Sequence, residues 1–302
     1  MSVLPTASTL FERLPRTLRR HRLMKAWMSI TGEEPLHLVR IRDDFFGYAD
    51  MNDGFLRLIV IDGDFEREFF ALADTFLSEG GVFLDVGANY GLLSCGLAGR
   101  HGSKLQFHLF EPNLRLVASI ERSLAIYPGI QYRVNASAVS DRDGVVGFRF
   151  NHIQTGMSHI TNDTEETVPS ITLDRYLLEN NIDRVELLKI DVEGYELSVL
   201  RGASRSLETR RIQAVYFEYF EKWLRRTHQP SVLLEFLASL GYLVCFCRRS
   251  DIVPRGGATH AIRAGLHGQG IPLVPIAGHH VPEMTDLLAI PEENLVRKVA
   301  KV

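Results

Sequence analysis

The stretch Phe83–Ser94, FLDVGANYGLLS, leaves few folds open to this chain. An apolar run, Val82-Phe83-Leu84, ends on Asp85. A turn carrying Gly87, Ala88 and Gly91 follows, and then the apolar segment LLSCGLAG. This is the pattern of a strand, a tight turn and a helix. Small residues let the backbone bend sharply and let a ligand lie against it, while the N–H groups that open the helix stay free for an acceptor. The occupant that suits such a turn is a nucleotide-like cofactor. The competing reading is a plain tight connection between strand and helix.

The order of the small residues narrows the cofactor. A dinucleotide site wants G-x-G-x-x-G around a pyrophosphate. Here the order is Asp85-Val-Gly87-Ala-Asn89-Tyr-Gly91, with Asn89 where a middle glycine would stand. Asn tolerates left-handed backbone angles. The D-x-G-x-x-x-G spacing resembles the first motif of class I S-adenosylmethionine-dependent methyltransferases, in which the glycine turn underlies the amino-acid end of the cofactor.

Downstream, LQFHLFEPN reads as a second strand ending on Glu111, twenty positions after Gly91. A carboxylate at the tip of the neighbouring strand can accept both ribose hydroxyls of a nucleoside. Asn113 beside it joins the candidate cofactor set. A third strand is expected near residues 132–139, where Ala136-Ser137-Ala138 is small enough to lie beside an adenine ring or simply to pack closely. Residues 144–150 read as a further strand and 151–166 as a polar loop holding His159, and residues 169–173 re-enter the sheet. Thr172 caps a short helix that ends at Asn180-Asn181. Leu187–Ile190 reads as a continuous apolar run, as a strand covered on both faces should be, and it ends on Asp191. The helix after it buries Leu197, Leu200, Ala203 and Leu207. The strand over 212–217 ends on Glu218. A helix between Pro230 and Gly241, a strand over 242–247 and a last strand over 286–290 complete the pattern.

The flanks are more individual. Residues 1–35 read as a basic helix, with Arg13, Arg16, Arg19, Arg20, Arg22 and Lys25, and residues 36–61 as a small hairpin lid. Together residues 1–64 form an N-terminal extension to a domain over 65–302. The helix carrying Phe69, Leu72, Ala73, Phe76 and Leu77, stopped by Gly80-Gly81, leads into that domain. Residues 248–283 form a long loop rich in Gly, Pro and His. The net charge of −3 gives no overall pull toward nucleic acid, and the basic N-terminus reads first as a solvated helix face and second as a peripheral membrane or polyanion contact. Three cysteines, Cys95, Cys245 and Cys247, fit a reduced, cytoplasmic setting, and the chain has no apolar run long enough to span a bilayer.

FLDVGANYGLLS, HLFEPN, NASAVSDRDG, ITLD and LLKIDVEGYELSVLRGA occur in the content and order of the FkbM-type methyltransferases. The resemblance spans about residues 65–222, with a weaker echo in DLLAIPEE. It implies a Rossmann-like class I methyltransferase fold, α/β, with a mostly parallel seven-stranded sheet and helices on both faces. It also implies S-adenosylmethionine as cofactor and O-methylation of a sugar, glycan or natural-product hydroxyl. Asp85, Gly87, Asn89 and Gly91 match the family's first motif, Glu111 its ribose-binding acid and Asp191 the acid of its fourth motif.

Ligands of open parallel sheets bind beyond the carboxyl ends of the strands. Asp85, Glu111, Asp191 and Glu218 all stand at such ends, and the last two should face the methyl group and its acceptor. An alcohol attacks well only when a base or a metal takes its proton, so the candidate bases are Asp191, Glu193, Glu218 and His159. Asp191 and Glu218 are also a partial ligand set for a Mg²⁺-like ion. The structural alternative for Asp191 is a helix N-cap. A nicotinamide-dependent oxidoreductase, a non-catalytic partner-binding scaffold and a homo-oligomer are the readings left beside these.

Overall fold

The computed structural model describes residues 36–42, 45–54, 65–247 and 273–293, with residues 26 and 30. The basic helix expected before residue 35 and most of the 248–283 loop lie outside the described residues. The main sheet is built from β3 (Gly81–Val86), β4 (Leu105–Phe110), β5 (Gln131–Asn135), β10 (Leu187–Ile190), β11 (Val215–Phe220), β12 (Tyr242–Phe246), β13 (Val274–Pro275) and β14 (Met284–Pro291). Their order across the sheet is β13-β12-β14-β11-β10-β3-β4-β5. The neighbours from β5 to β11 run parallel, while β14 runs antiparallel to both β11 and β12. The chain therefore winds outward from β3 in one direction and then from β10 in the other. The seam between these two is the switch point where open α/β sheets hold ligands. The sheet has eight strands rather than seven, because the two-residue β13 adds to the β12 edge.

Helices cover both faces because the central strands alternate between two apolar cores. Phe83 faces one core, shared with α1 (Arg67–Leu77), α2 (Leu92–His101) and α3 (Leu114–Leu124). Leu84 and Val86 face the other, with α4 (Leu173–Glu179), α5 (Glu196–Arg201), α6 (Ser204–Glu208) and α8 (Pro230–Ser239), the short α7 (Glu221–Leu224) lying between β11 and α8. The expected single helix after Asp191 is thus two short ones, yet Leu197, Leu200, Ala203 and Leu207 are all buried as anticipated. Thr172 accepts from the Arg175 N–H and caps α4, and Pro230 opens α8.

Three expectations about strands need correction. The third strand is short: β5 stops at Asn135, and β6 (Ala138–Val139) belongs to a second, four-stranded sheet with β7 (Gly144–Arg149), β8 (His159–Ile160) and β9 (Thr167–Ile171). Consequently neither 144–149 nor 167–171 enters the main sheet. That second sheet has its own small core of Ala138, Val146, Phe148, Ile160 and Val168. Glu218, expected at a strand end, lies inside β11, opposite Asp286 of β14. Ile190, the last residue of β10, pairs with Phe217, so Glu218 still stands level with the point where β10 stops.

The hairpin of β1 (Leu36–Arg42) and β2 (Phe45–Asp50) is present, antiparallel, and packs on helices rather than over the sheet as a lid. Phe45, Ala49 and Met51 are buried in the first core. The Ser123 hydroxyl accepts from the Tyr48 N–H at 2.8 Å, and the Tyr127 hydroxyl bridges the N–H and C=O of Phe46. No helix among the described residues is long and apolar enough to cross a membrane.

Candidate active site

A cavity of 460 Å³ opens at the carboxyl ends of β3, β4, β10 and β11, within the size range of small-molecule sites. The β3–α2 turn forms its floor. Gly87 has φ +75°, and a Cβ there would stand 1.9 Å from the Asp191 carbonyl oxygen, so only glycine lets this turn pass the end of β10. Asn89 takes the left-handed conformation anticipated for it, with φ 52°. Gly91, φ 67°, precedes α2, and any Cβ would press on Ile120 at 3.1 Å.

Glu111 lines the cavity just past the tip of β4. Its Oε2 accepts the Asn89 N–H at 3.0 Å and its Oε1 the Asn113 N–H at 2.9 Å. Burial pushes its carboxyl up to about 7 in spite of these donors. Two N–H bonds leave a carboxylate with further lone pairs, so the group is oriented but not saturated. Ser137 also lines the cavity. Asn113 does not: its Oδ1 accepts the Arg115 N–H at 3.0 Å and caps α3.

Asp85 is likewise outside the cavity wall. It lies behind the turn, 1% exposed, with Oδ2 accepting the Ser94 hydroxyl at 2.8 Å and Oδ1 3.3 Å from Lys189 Nζ. Lys189 was not anticipated, although a lysine inside an otherwise apolar strand is itself a signal, since a buried charge needs partners. Its ammonium donates to the Gly87 carbonyl at 2.8 Å and lies 3.6 Å from Asp191 Oδ2. Burial works against this charge, Asp85 and Asp191 outweigh it, and the pKa is raised. One lysine thus ties the glycine turn to both flanking acids.

At the opposite end of the cavity Asp191, Glu193 and Glu218 converge, each offering an oxygen within 4.8 Å of the others. Asp191 is not a helix cap, since the next helix begins at Glu196. The turn that presents it is held by Glu196, whose Oε1 accepts the N–H groups of Val192 and Gly194 at 3.2 and 3.1 Å. Burial, with Asp191 nearby, pushes the Glu193 carboxyl up to about 8. Burial and the surrounding Asp191, Glu193, Glu196 and Asp286 carboxylates push Glu218 up to about 10. His159 is not brought here. Its Nδ1 lies 3.0 Å from the Met157 carbonyl oxygen and its ring packs edge-on against Trp223, while its neighbours Ser158 and Ile160 form the wall. In a strand the residue between two inward-facing ones faces outward. Among the described residues, the three converging acids are the group that could hold a metal ion, and His279 and His280 are not part of it.

The Methyltransferase FkbM domain matches residues 85–244, more than half of the 302-residue chain. The hexuronic acid methyltransferase AglP of Haloferax volcanii is 26% identical over 136 residues, covering 43% of this chain and 53% of that protein. The 2-O-methyltransferase NoeI of Sinorhizobium fredii is 25% identical over 187 residues, covering 55% of this chain and 75% of that one. The chain thus spans about half the length of the first relative and three quarters of the second. Among solved structures, the Pyrococcus abyssi tRNA (uracil-54, C5)-methyltransferase superposes with a TM-score of 0.39 at 14% identity, over 85% of this chain and 44% of that one. That superposition is loose, and the fold rests instead on the strand order, which is that of the Rossmann-like class I methyltransferases. With more than half of its length matched by that domain, the chain belongs to the FkbM methyltransferase family.

Proposed function

We propose that the protein transfers a methyl group from S-adenosylmethionine to a hydroxyl oxygen of a sugar, glycan or natural-product acceptor. The observation that carries this reading is a single cavity with the glycine turn and Glu111 at one end and Asp191, Glu193 and Glu218 at the other. The hexuronic acid methyltransferase AglP and the 2-O-methyltransferase NoeI support a sugar hydroxyl as acceptor. Gly87, Ala88 and Asn89 would hold the cofactor along exposed backbone, Glu111 would accept from its ribose, and Ser137 would border its base. When bound, the cofactor supplies a methyl group on a sulfonium, whose leaving group needs no protonation.

The chain's own task is to orient the acceptor and take its proton. Holding the acceptor in line against the methyl group is worth several kcal/mol of the ~7–11 kcal/mol available to well-oriented reactants. Asp191 is the group to receive the proton, at Oδ2. Its side chain is 45% exposed, open to an entering substrate, and Lys189 stands 3.6 Å away to stabilise its charge. Burial and the neighbouring carboxylates favour the protonated forms of Glu193 and Glu218, which would then act first as hydrogen-bond donors to the acceptor oxygens. The setting we propose is cytoplasmic, supported by three buried, unbridged cysteines.

A second reading is favoured by the convergence of the three acids. Their hard oxygens suit one divalent cation of the Mg²⁺ type, which would displace the protons on Glu193 and Glu218. Titration of Mg²⁺ into the protein near pH 7.5 should then release protons, and Glu218→Gln should abolish the release. The main proposal is tested by calorimetry with S-adenosylhomocysteine, followed by transfer of labelled methyl to a panel of free sugars and glycans. A protein that gives no heat with that ligand is not this enzyme.

A further inference from the structure

We propose that Asp53, in the turn that follows the N-terminal hairpin, is a positioning residue for the cofactor cavity. It lies outside residues 85–244, the region shared with the family. The proposal rests on the cofactor reading given above. Asp53 is 3% exposed, and a buried carboxylate is tolerated only where donors meet it. Two donors converge on its Oδ2: the Tyr90 hydroxyl at 3.3 Å, from the glycine turn, and the Thr155 N–H at 3.2 Å, from the segment between β7 and β8. The neighbouring Gly54 N–H donates to the Ile153 carbonyl at 2.9 Å. From Thr155 the connection continues inward, its hydroxyl donating to Asn89 Oδ1 at 2.9 Å, and the Asn89 N–H reaches Glu111. Three segments far apart in sequence thereby meet over one cavity, and Gly54, Tyr90, Asn89, Thr155 and Glu111 all line it.

Simple adhesion of the hairpin is the plainer role for such a residue. That task is already carried elsewhere: Phe45, Ala49 and Met51 are in the core, and Ser123 and Tyr127 bind the β2 backbone. What Asp53 adds is a hold on residues 153–155 and on Tyr90, both of which bound the ligand space. Burial, with Asp53 and Asp50 beside it, raises the Tyr90 pKa, so the phenol keeps the proton it donates. Asp53 does not itself line the cavity; it acts by fixing the wall against which Asn89 and Glu111 are set.

The test is the affinity for S-adenosylhomocysteine, measured by calorimetry together with Tm for each variant. Asp53→Ala should raise Kd about tenfold, the worth of one or two buried hydrogen bonds. Asp53→Asn, which keeps an acceptor oxygen, should recover part of that loss, and Tyr90→Phe should add less on top of Asp53→Ala than it costs alone. Ser123→Ala, which removes a hairpin anchor away from the cavity, should lower Tm and leave Kd unchanged. If Asp53→Ala does not fold, Asp53→Asn and Tyr90→Phe carry the same measurement. Kd within twofold of wild type in the Asp53 and Tyr90 variants, with Tm lowered as in Ser123→Ala, overturns the proposal and reduces Asp53 to a structural anchor. Wild-type protein that fails to bind the ligand at all sinks the cofactor reading itself, a different result from wild-type binding that Asp53 does not influence.

Discussion

The two ends of the cavity treat their acids in opposite ways. At the glycine-turn end each carboxylate is met by donors: Glu111 by two backbone N–H groups, Asp85 by the Ser94 hydroxyl and by Lys189. At the β10–β11 end Lys189 stands 3.6 Å from Asp191, but Asp191, Glu193 and Glu218 crowd one another, and their repulsion adds to burial in raising Glu193 and Glu218. The first end is built to keep its shape with or without a ligand. The second is electrostatically incomplete and is relieved by protons, by a cation or by the hydroxyl-rich acceptor. Under the proposed function, recognition falls to the first end and chemistry to the second, so each can be attacked alone.

The largest expected effect falls on the incomplete end. Asp191→Asn should cut turnover by about 10²-fold or more, the usual weight of a general base, while leaving S-adenosylhomocysteine affinity near wild type. Loss of affinity without loss of turnover would reverse the roles given to the two ends. At the other end, Glu111→Ala should weaken that affinity by about 1–3 kcal/mol, because the Asn89 and Asn113 N–H groups lose their acceptor along with the ligand's hydroxyls. An unchanged calorimetric Kd would remove Glu111 from the cofactor site.

The contrast also predicts a pH dependence. Glu193 and Glu218 bind protons more tightly folded, up to about 8 and about 10, than their ordinary value of 4.5. Their contribution to stability is therefore complete below pH 4.5 and is lost as pH rises through about 8 and then about 10. Tm should fall between about pH 6 and pH 9, and Glu218→Gln should flatten the decline. A wild-type Tm that is level across that window contradicts the crowding of these acids.

The glycine-turn end was the more legible in the sequence, and the reason is local. Gly87, Asn89 and Gly91 sit at positions whose backbone angles only a few residues tolerate, so the turn is written in adjacent letters. Asp191 and Glu218 were legible as acids after apolar runs, even though β11 runs two residues past Glu218. What the local pattern could not carry was pairing at a distance. Strands at 144–149 and 167–171 alternate like any others, and nothing in them says that they pair with each other and not with β5. Nothing in the local sequence marks Asp53, because its partners, Tyr90 and Thr155, are brought to it only by the fold. Lys189 was hidden by its own neighbours, since a run of buried leucines and isoleucine reads as apolar even with one charge inside it.

The smallest prediction concerns Asn113, which the sequence puts with the cofactor and the structure puts at the start of α3. Its side chain caps that helix through the Arg115 N–H, whereas its backbone N–H is what reaches Glu111. Replacing the side chain leaves the backbone donor in place, so the two contributions separate cleanly. Asn113→Ala should cost about 1 kcal/mol of stability, the usual worth of an N-cap, with S-adenosylhomocysteine affinity within about twofold of wild type. A tenfold loss of affinity at unchanged stability would mean that the amide itself reaches the ligand. The well-supplied end of the cavity would then include a side-chain contact beyond Glu111, and the division between a backbone-built recognition end and a side-chain-built chemical end would no longer hold.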